Sequence, residues 1–191
     1  MTVVIKIGGS LEADPHRRRA VLHALADGVH GPCIIVPGGG TFAGAVRAAQ
    51  VREGFSDAEA HRRALDAMSD AAGIFRGIEP RLIQTFEPWA EPANVTARVW
   101  NPRRLRNGHP DIPETWDVTS DSLALWLATR TGAHRCMLVK SADAPAAQDV
   151  VALAASGLVD AAFPAFAAQY RGRIEIWGPA GTVVVAARDA A

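Results

Sequence analysis

The run Val3-Val4-Ile5-Lys6-Ile7-Gly8-Gly9-Ser10-Leu11 limits the possible folds more than any other stretch of the chain. Four β-branched residues surround a single lysine, and the run stops at a glycine pair. A short apolar run bounded by turn residues reads as a strand buried on both faces, as in parallel sheets. An ammonium in such a strand is costly unless an anion meets it. Gly8 and Gly9 let backbone N–H groups approach an anion closely, and Ser10 adds a hydroxyl donor. The segment therefore reads in two ways. It is a phosphate site at the carboxyl end of strand one, or a structural turn beside a snorkelling lysine.

The following residues alternate in the same manner. Pro15 to about Gly28 is predicted as a helix, with Asp14 at the N-cap and Pro15 at the first helical position. Cys33–Val36 is a second strand, stopped by Pro37-Gly38-Gly39-Gly40, and Thr41 is placed to cap a helix toward Gln50. Ser56 and Glu59 form a capping box for a long helix reaching about Arg76. His61, in its first turns, reads as a solvated or interface residue rather than a catalytic one. The proline-rich stretch Glu79–Asp117 reads as short strands near Arg81–Thr85 and Ala97–Trp100 within irregular loops. Its Arg103, Arg104 and Arg106 form a solvated loop or, alternatively, a lid over an anionic substrate.

Beyond Trp116, Thr119 or Ser120 caps a helix that ends at Gly132. Arg135–Val139 is a strand ended by Lys140-Ser141-Ala142-Asp143; Gln148–Ala155 and Ala161–Tyr170 are helical; Ile174–Trp177 is a strand stopped by Gly178-Pro179. The tail Thr182–Asp189 is assigned as helix on the rhythm of the chain, against the β-branched propensity of its valines. The expected class is α/β: one domain over residues 1–191, a three-layer αβα sandwich around a mainly parallel sheet of about eight strands. Right-handed connections put both glycine turns at the carboxyl edge of the sheet, where open α/β sheets bind ligands.

Composition narrows the function. Twenty basic residues balance twenty acidic ones, which gives no support for nucleic acid as a partner. No apolar run reaches the ~18 residues of a membrane span and no signal peptide is read before Val3, so a soluble, cytoplasmic protein is expected. Cys33 and Cys136 lie in apolar runs and read as buried thiols. No C-x-x-C or H-x-x-x-H spacing suggests a metal site.

Four features fall at strand ends in order: Lys6-Ile7-Gly8-Gly9-Ser10, Pro37-Gly38-Gly39-Gly40, Thr119-Ser120-Asp121 and Lys140-Ser141-Ala142-Asp143. In this order they resemble the amino acid kinase family. Within it, WDVTSDSLALWLA, VPGGGTFAGAVR, AHRRALDAM and DAAFPAF resemble the branch that phosphorylates (5-(aminomethyl)furan-3-yl)methyl phosphate in methanofuran-type cofactor biosynthesis. The resemblance implies an amino acid kinase-like fold, ATP with Mg²⁺, a small-molecule phosphate acceptor and a homodimer paired through the long helix. It implies Lys6 at the transferring phosphoryl oxygens and Asp121 orienting that lysine. Gly8, Gly9 and Ser10 would hold the β- and γ-phosphates, and Lys140, Ser141, Asp143 and Gly178 the rest of the nucleotide. Gly38, Gly39, Gly40, Thr119 and Ser120 would bind the acceptor, with the helix dipole after Gly40 adding to the grip.

Two departures from the family pattern stand out. Many members carry aspartate, valine, aspartate, glycine where this chain has Ser141-Ala142-Asp143-Ala144. Longer members also bring a late lysine, whereas this chain has no lysine after Lys140; Lys140, Arg171 and Arg173 are the candidates for that role. A kinase acting on a carboxylate or a nucleoside monophosphate, and a nucleotide-binding protein without turnover, are the other readings. Gly38-x-Gly40-x-x-Ala43 also fits a relaxed dinucleotide fingerprint, but no acidic residue closes the next strand. A Walker loop is excluded, because no Gly-Lys pair occurs.

Overall fold

The computed structural model describes residues 2–90, 95–145 and 149–186. Seven strands form one sheet in the order β3-β4-β2-β1-β5-β6-β7. They are β1 (Val3–Ile7), β2 (Cys33–Pro37), β3 (Ile83–Thr85), β4 (Ala97–Trp100), β5 (Arg135–Val139), β6 (Arg173–Gly178) and β7 (Gly181–Ala186). All neighbours run parallel except β7, which folds back antiparallel on β6. The helices are α1 (Pro15–Ala26), α2 (Gly40–Glu53), α3 (Asp57–Ile78), α4 (Ser120–Arg130), α5 (Val150–Ala155) and α6 (Phe163–Gln169). None is long and apolar enough to cross a membrane among the described residues.

β1 lies at the centre because its five residues are all buried, with β2 on one side and β5 on the other. Side chains alternate between faces along a strand. Val3, Ile5 and Ile7 pack with Leu22 and Leu25 of α1. Val4 packs on the opposite face, with Leu123 and Leu127 of α4. The same parity sends Lys6 toward α4. In β5 it does so for Cys136 and Leu138, which share the α4 cluster, and for Lys140 just beyond. Two lysines far apart in sequence thus arrive on one face.

Most predicted elements appear within a few residues of their expected ends. Asp14 caps α1 by accepting the Arg17 N–H at 2.9 Å, and Ser56 caps α3 by accepting that of Glu59 at 3.2 Å. The capping box is only half formed, since the Glu59 carboxylate turns to Arg63 at 2.8 Å. Two expectations are corrected. The sheet has seven described strands rather than about eight, and residues 182–186 of the tail lie in strand β7, not a helix, the rest of the predicted tail falling outside the described residues. Pairing of Gly178 with Gly181 leaves Pro179-Ala180 as a two-residue hairpin loop, and Thr182 to Val185 then follow their β-branched propensity. Gln148, predicted helical, lies outside the described residues.

The two glycine turns touch backbone to backbone. A methyl group at Gly9 would collide with the amide of Gly40, and one at Gly38 with the amide of Gly9. Gly38→Ala is therefore expected to destabilise the fold by about 1–3 kcal/mol, as overpacking does. Gly44→Ala, in α2 with open space around it, should be neutral or stabilising by up to ~1 kcal/mol. Urea melts of both variants check the contrast.

Candidate active site at the carboxyl edge of the sheet

Lys6 and Lys140 meet at Asp121. The Lys6 ammonium lies 2.8 Å from Oδ1 of Asp121, and the Lys140 ammonium donates to Oδ2 at 2.7 Å. All three residues are at most 8% exposed. Asp121 sits in the first turn of α4, whose N-terminus points at the carboxyl edge of the sheet. Burial alone would raise its pKa, but the two ammonium groups hold the carboxyl below its ordinary value. Lys140 is lowered to about 8 by burial and by repulsion from Lys6, with Asp121 opposing both. One carboxylate facing two ammonium groups leaves one net positive charge at this edge near neutral pH.

Neighbouring groups fix the cluster in place. Asp160, between α5 and α6, accepts the N–H and hydroxyl of Thr119, both at 2.8 Å, and the N–H of Ser122 at 3.0 Å. It also accepts the hydroxyl of Ser122. This outside carboxylate satisfies the start of α4, so Thr119 stands at the N-cap without capping through its own side chain. Arg17 of α1 donates to the carbonyls of Lys140 at 2.7 Å and Trp177 at 3.1 Å, tying β5 and β6 together where they end. Neither role was read from sequence. Asp160 lies in the DAAFPAF segment already singled out there, whereas Arg17 gave no signal of its own.

The nucleotide candidates fall along the same edge. The Ser141 hydroxyl donates to that of Ser10 at 2.8 Å, linking the loops after β5 and β1. Gly8 donates its N–H to the Val139 carbonyl at 2.9 Å. Asp143 accepts the Ala180 N–H at 2.8 Å, and a methyl at Gly178 would collide with Asp143. Asp143 and Gly178 thus lock the β5 loop onto the β6–β7 turn. Ala144, where the sequence resemblance leads to an expectation of glycine, is buried in the α4-side core. Arg173 opens β6 at the far edge, about 16 Å from Gly178 at the usual strand rise, so Lys140 alone of the three candidates for the late lysine reaches the cluster.

The acceptor candidates Gly38, Gly39, Gly40, Thr119 and Ser120 line one cavity of about 240 Å³, which also touches Gly9 and Ser10. The loop after β1 therefore borders the same cavity as the turn after β2 and the start of α4. Thr41 does not cap α2; its N–H is taken by the Glu12 carboxylate at 2.9 Å. His61, expected to be solvated or at an interface, is instead 4% exposed and lines the cavity. Its Nδ1 lies 3.2 Å from the Thr115 carbonyl. A carbonyl only accepts, so Nδ1 carries the hydrogen; burial lowers the ring's pKa and keeps it neutral, leaving Nε2 as an acceptor. Arg103 and Arg106 face Asp66 at 4.0 and 3.2 Å, and Arg104 faces Glu87 at 2.6 Å, so each turns to an acidic partner. No group of three or more metal-binding side chains gathers among the described residues.

Removing the shared carboxylate gives a prediction with a defined sign. Asp121→Asn leaves two buried ammonium groups without their counterion, which should cost about 3–5 kcal/mol near pH 7. The loss should shrink as pH rises through the range where Lys140 becomes neutral. Urea unfolding at pH 7 and pH 9 measures the difference.

Residues 1–82 match the sequence model of the amino acid kinase family. A [5-(aminomethyl)furan-3-yl]methyl phosphate kinase of Methanocaldococcus jannaschii is 24% identical over 142 residues, covering 73% of this chain and 66% of that protein. Among solved structures, uridylate kinase from Archaeoglobus fulgidus superposes with a TM-score of 0.67 at 16% identity, over 92% of this chain and 90% of that one. Aspartate kinase from Synechocystis gives 0.66 at 14% identity, over 97% of this chain and 41% of that one. The amino acid kinase signature thus covers residues 1–82, and the fold shared with these solved kinases extends over more than nine-tenths of the chain.

Proposed function

We propose that the protein transfers a phosphoryl group from ATP to a small phosphate monoester, with (5-(aminomethyl)furan-3-yl)methyl phosphate as the acceptor. The observation that carries this reading is the buried Lys6–Asp121–Lys140 cluster, whose Asp121 follows Ser120 in the lining of a cavity built on two glycine turns. Its net positive charge and the close backbone approach at Gly9, Gly38 and Gly40 fit a polyphosphate chain. No acidic cluster stands ready for Mg²⁺ among the described residues, so the metal would be held by phosphate oxygens and water. MgATP, when bound, supplies the phosphoryl group and part of the charge neutralisation.

The chain's own residues then position and stabilise. Lys6 presents a fixed cation where negative charge spreads over the transferring oxygens. Asp121 holds Lys6 and Lys140 apart at a set spacing, and Lys140 faces the leaving phosphates in the role of the missing late lysine. Ser10 and Ser141 bridge the two donor loops. The α3 and α4 walls exclude water from the acceptor through Leu65, Met68, Val118 and Leu123. The neutral His61, with Nε2 free to accept, suits an aminomethyl ammonium.

Three measurements test the reading. An ATP-consumption assay, with the furan phosphate beside uridylate, aspartate and acetylglutamate, should show turnover of the furan phosphate. Lys6→Ala should lower kcat by about 10²-fold or more while the melting curve is retained; near wild-type turnover would remove Lys6 from the mechanism. In the wild type, kcat/KM for ATP should fall as pH rises through about 8, where Lys140 loses its proton. That alkaline limb should be missing from the residual activity of Lys140→Met.

A further inference from the structure

Along α2, Gly40, Ala43 and Arg47 recur at helical spacing and line the cavity together. The Arg47 guanidinium lies over the Trp116 ring, 3.7 Å from its centroid. Trp116 is itself fixed, because its indole N–H donates to the Gln50 carbonyl oxygen at 2.6 Å. Gln50 in turn donates to the Phe55 carbonyl at 3.2 Å and to Asp57 at 2.7 Å. Arg52, Arg62 and Arg63 on the same helix pair all face carboxylates. Arg47 makes no ion pair among the described residues and instead rests flat on an aromatic face. Among the described residues of the cavity lining it is the one permanent cation.

The helix terminus beneath it is differently disposed. The Glu12 carboxylate takes the Thr41 N–H and lies against Gly40, where a methyl group would collide with it. An internal anion therefore already balances the positive end of α2. A second anion arriving there meets that carboxylate, whereas at Arg47 it meets an uncommitted guanidinium held in one plane. A planar fork stacked on a ring is suited to two parallel hydrogen bonds to a phosphate.

Building on the phosphate-monoester reading, we propose that Arg47, held by Trp116, grips the acceptor's phosphate and selects phosphorylated acceptors, while the α2 terminus is reserved for Glu12. The selection then resides in one side chain on the cavity wall rather than in the helix dipole.

Calorimetric titration of the full chain tests this apart from turnover. The probes are the furan phosphate, benzyl phosphate, the unphosphorylated furan alcohol and a non-hydrolysable ATP analogue. Wild type should bind both phosphate esters at least about tenfold more tightly than the alcohol. Arg47→Ala should erase that preference and leave the ATP analogue's affinity within about twofold, with Arg47→Lys recovering only part of it. Equal phosphate-ester affinity in wild type and Arg47→Ala overturns the proposal, as does wild-type binding of the ATP analogue with no phosphate preference. Arg47-dependent phosphate binding without ATP turnover would sustain this proposal and defeat the kinase reading instead.

Discussion

Everything at the working edge depends on one carboxylate shared by two ammonium groups. Asp121 lies between Lys6 and Lys140 at 2.8 and 2.7 Å, in a place where none of the three charges could stand alone. Each partner belongs to a different element: the central strand, the strand beside it and the helix that covers both. The ion cluster therefore fixes the register between sheet and helix layer as well as the charge of the site. Stability and chemistry are bound together here, because the arrangement leaves one net positive charge among three buried side chains at the carboxyl edge of the sheet.

The second constraint is the contact between the two glycine turns. Strand parity and parallel pairing bring the ends of β1 and β2 side by side. Only residues without a Cβ let their backbones meet there. This contact aligns the amides of one turn with those of the other and sets the floor of the cavity. Glu12 and Asp160 then supply carboxylates to the starts of α2 and α4, so both helix ends are internally satisfied. The site's positive character therefore comes from side chains, Lys6, Lys140 and Arg47, more than from helix dipoles.

Much of this was legible in the sequence where local chemistry is decisive. A lysine within a β-branched run, glycine clusters at strand ends and an aspartate at a helix start each point to one structural role. Together they point to the sheet edge and to most of the candidate site. The tail misleads because the rhythm of alternating elements points to a helix, whereas a two-residue hairpin loop lets the valine propensity prevail. His61 misled because a polar residue near a helix start looks solvated until the segment at Thr115 closes over it. Arg17, Arg47 and Glu12 were silent, since each acts through a tertiary partner that neither spacing nor periodicity encodes. The sequence places Lys140 in the nucleotide loop or in the late lysine's role, and only the parity of β5 reveals that it shares a carboxylate with Lys6.

The chain contains just two lysines, Lys6 and Lys140, which makes the central claim directly observable. Protein labelled with ¹³C and ¹⁵N in lysine gives two side-chain signals, followed by NMR across pH with and without a non-hydrolysable ATP analogue and Mg²⁺. If the cluster holds the polyphosphate, both signals shift on binding, and the Lys140 titration moves up from about 8 as phosphate charge favours the ammonium. Saturating nucleotide that leaves both lysine signals and the Lys140 titration unchanged would contradict the account.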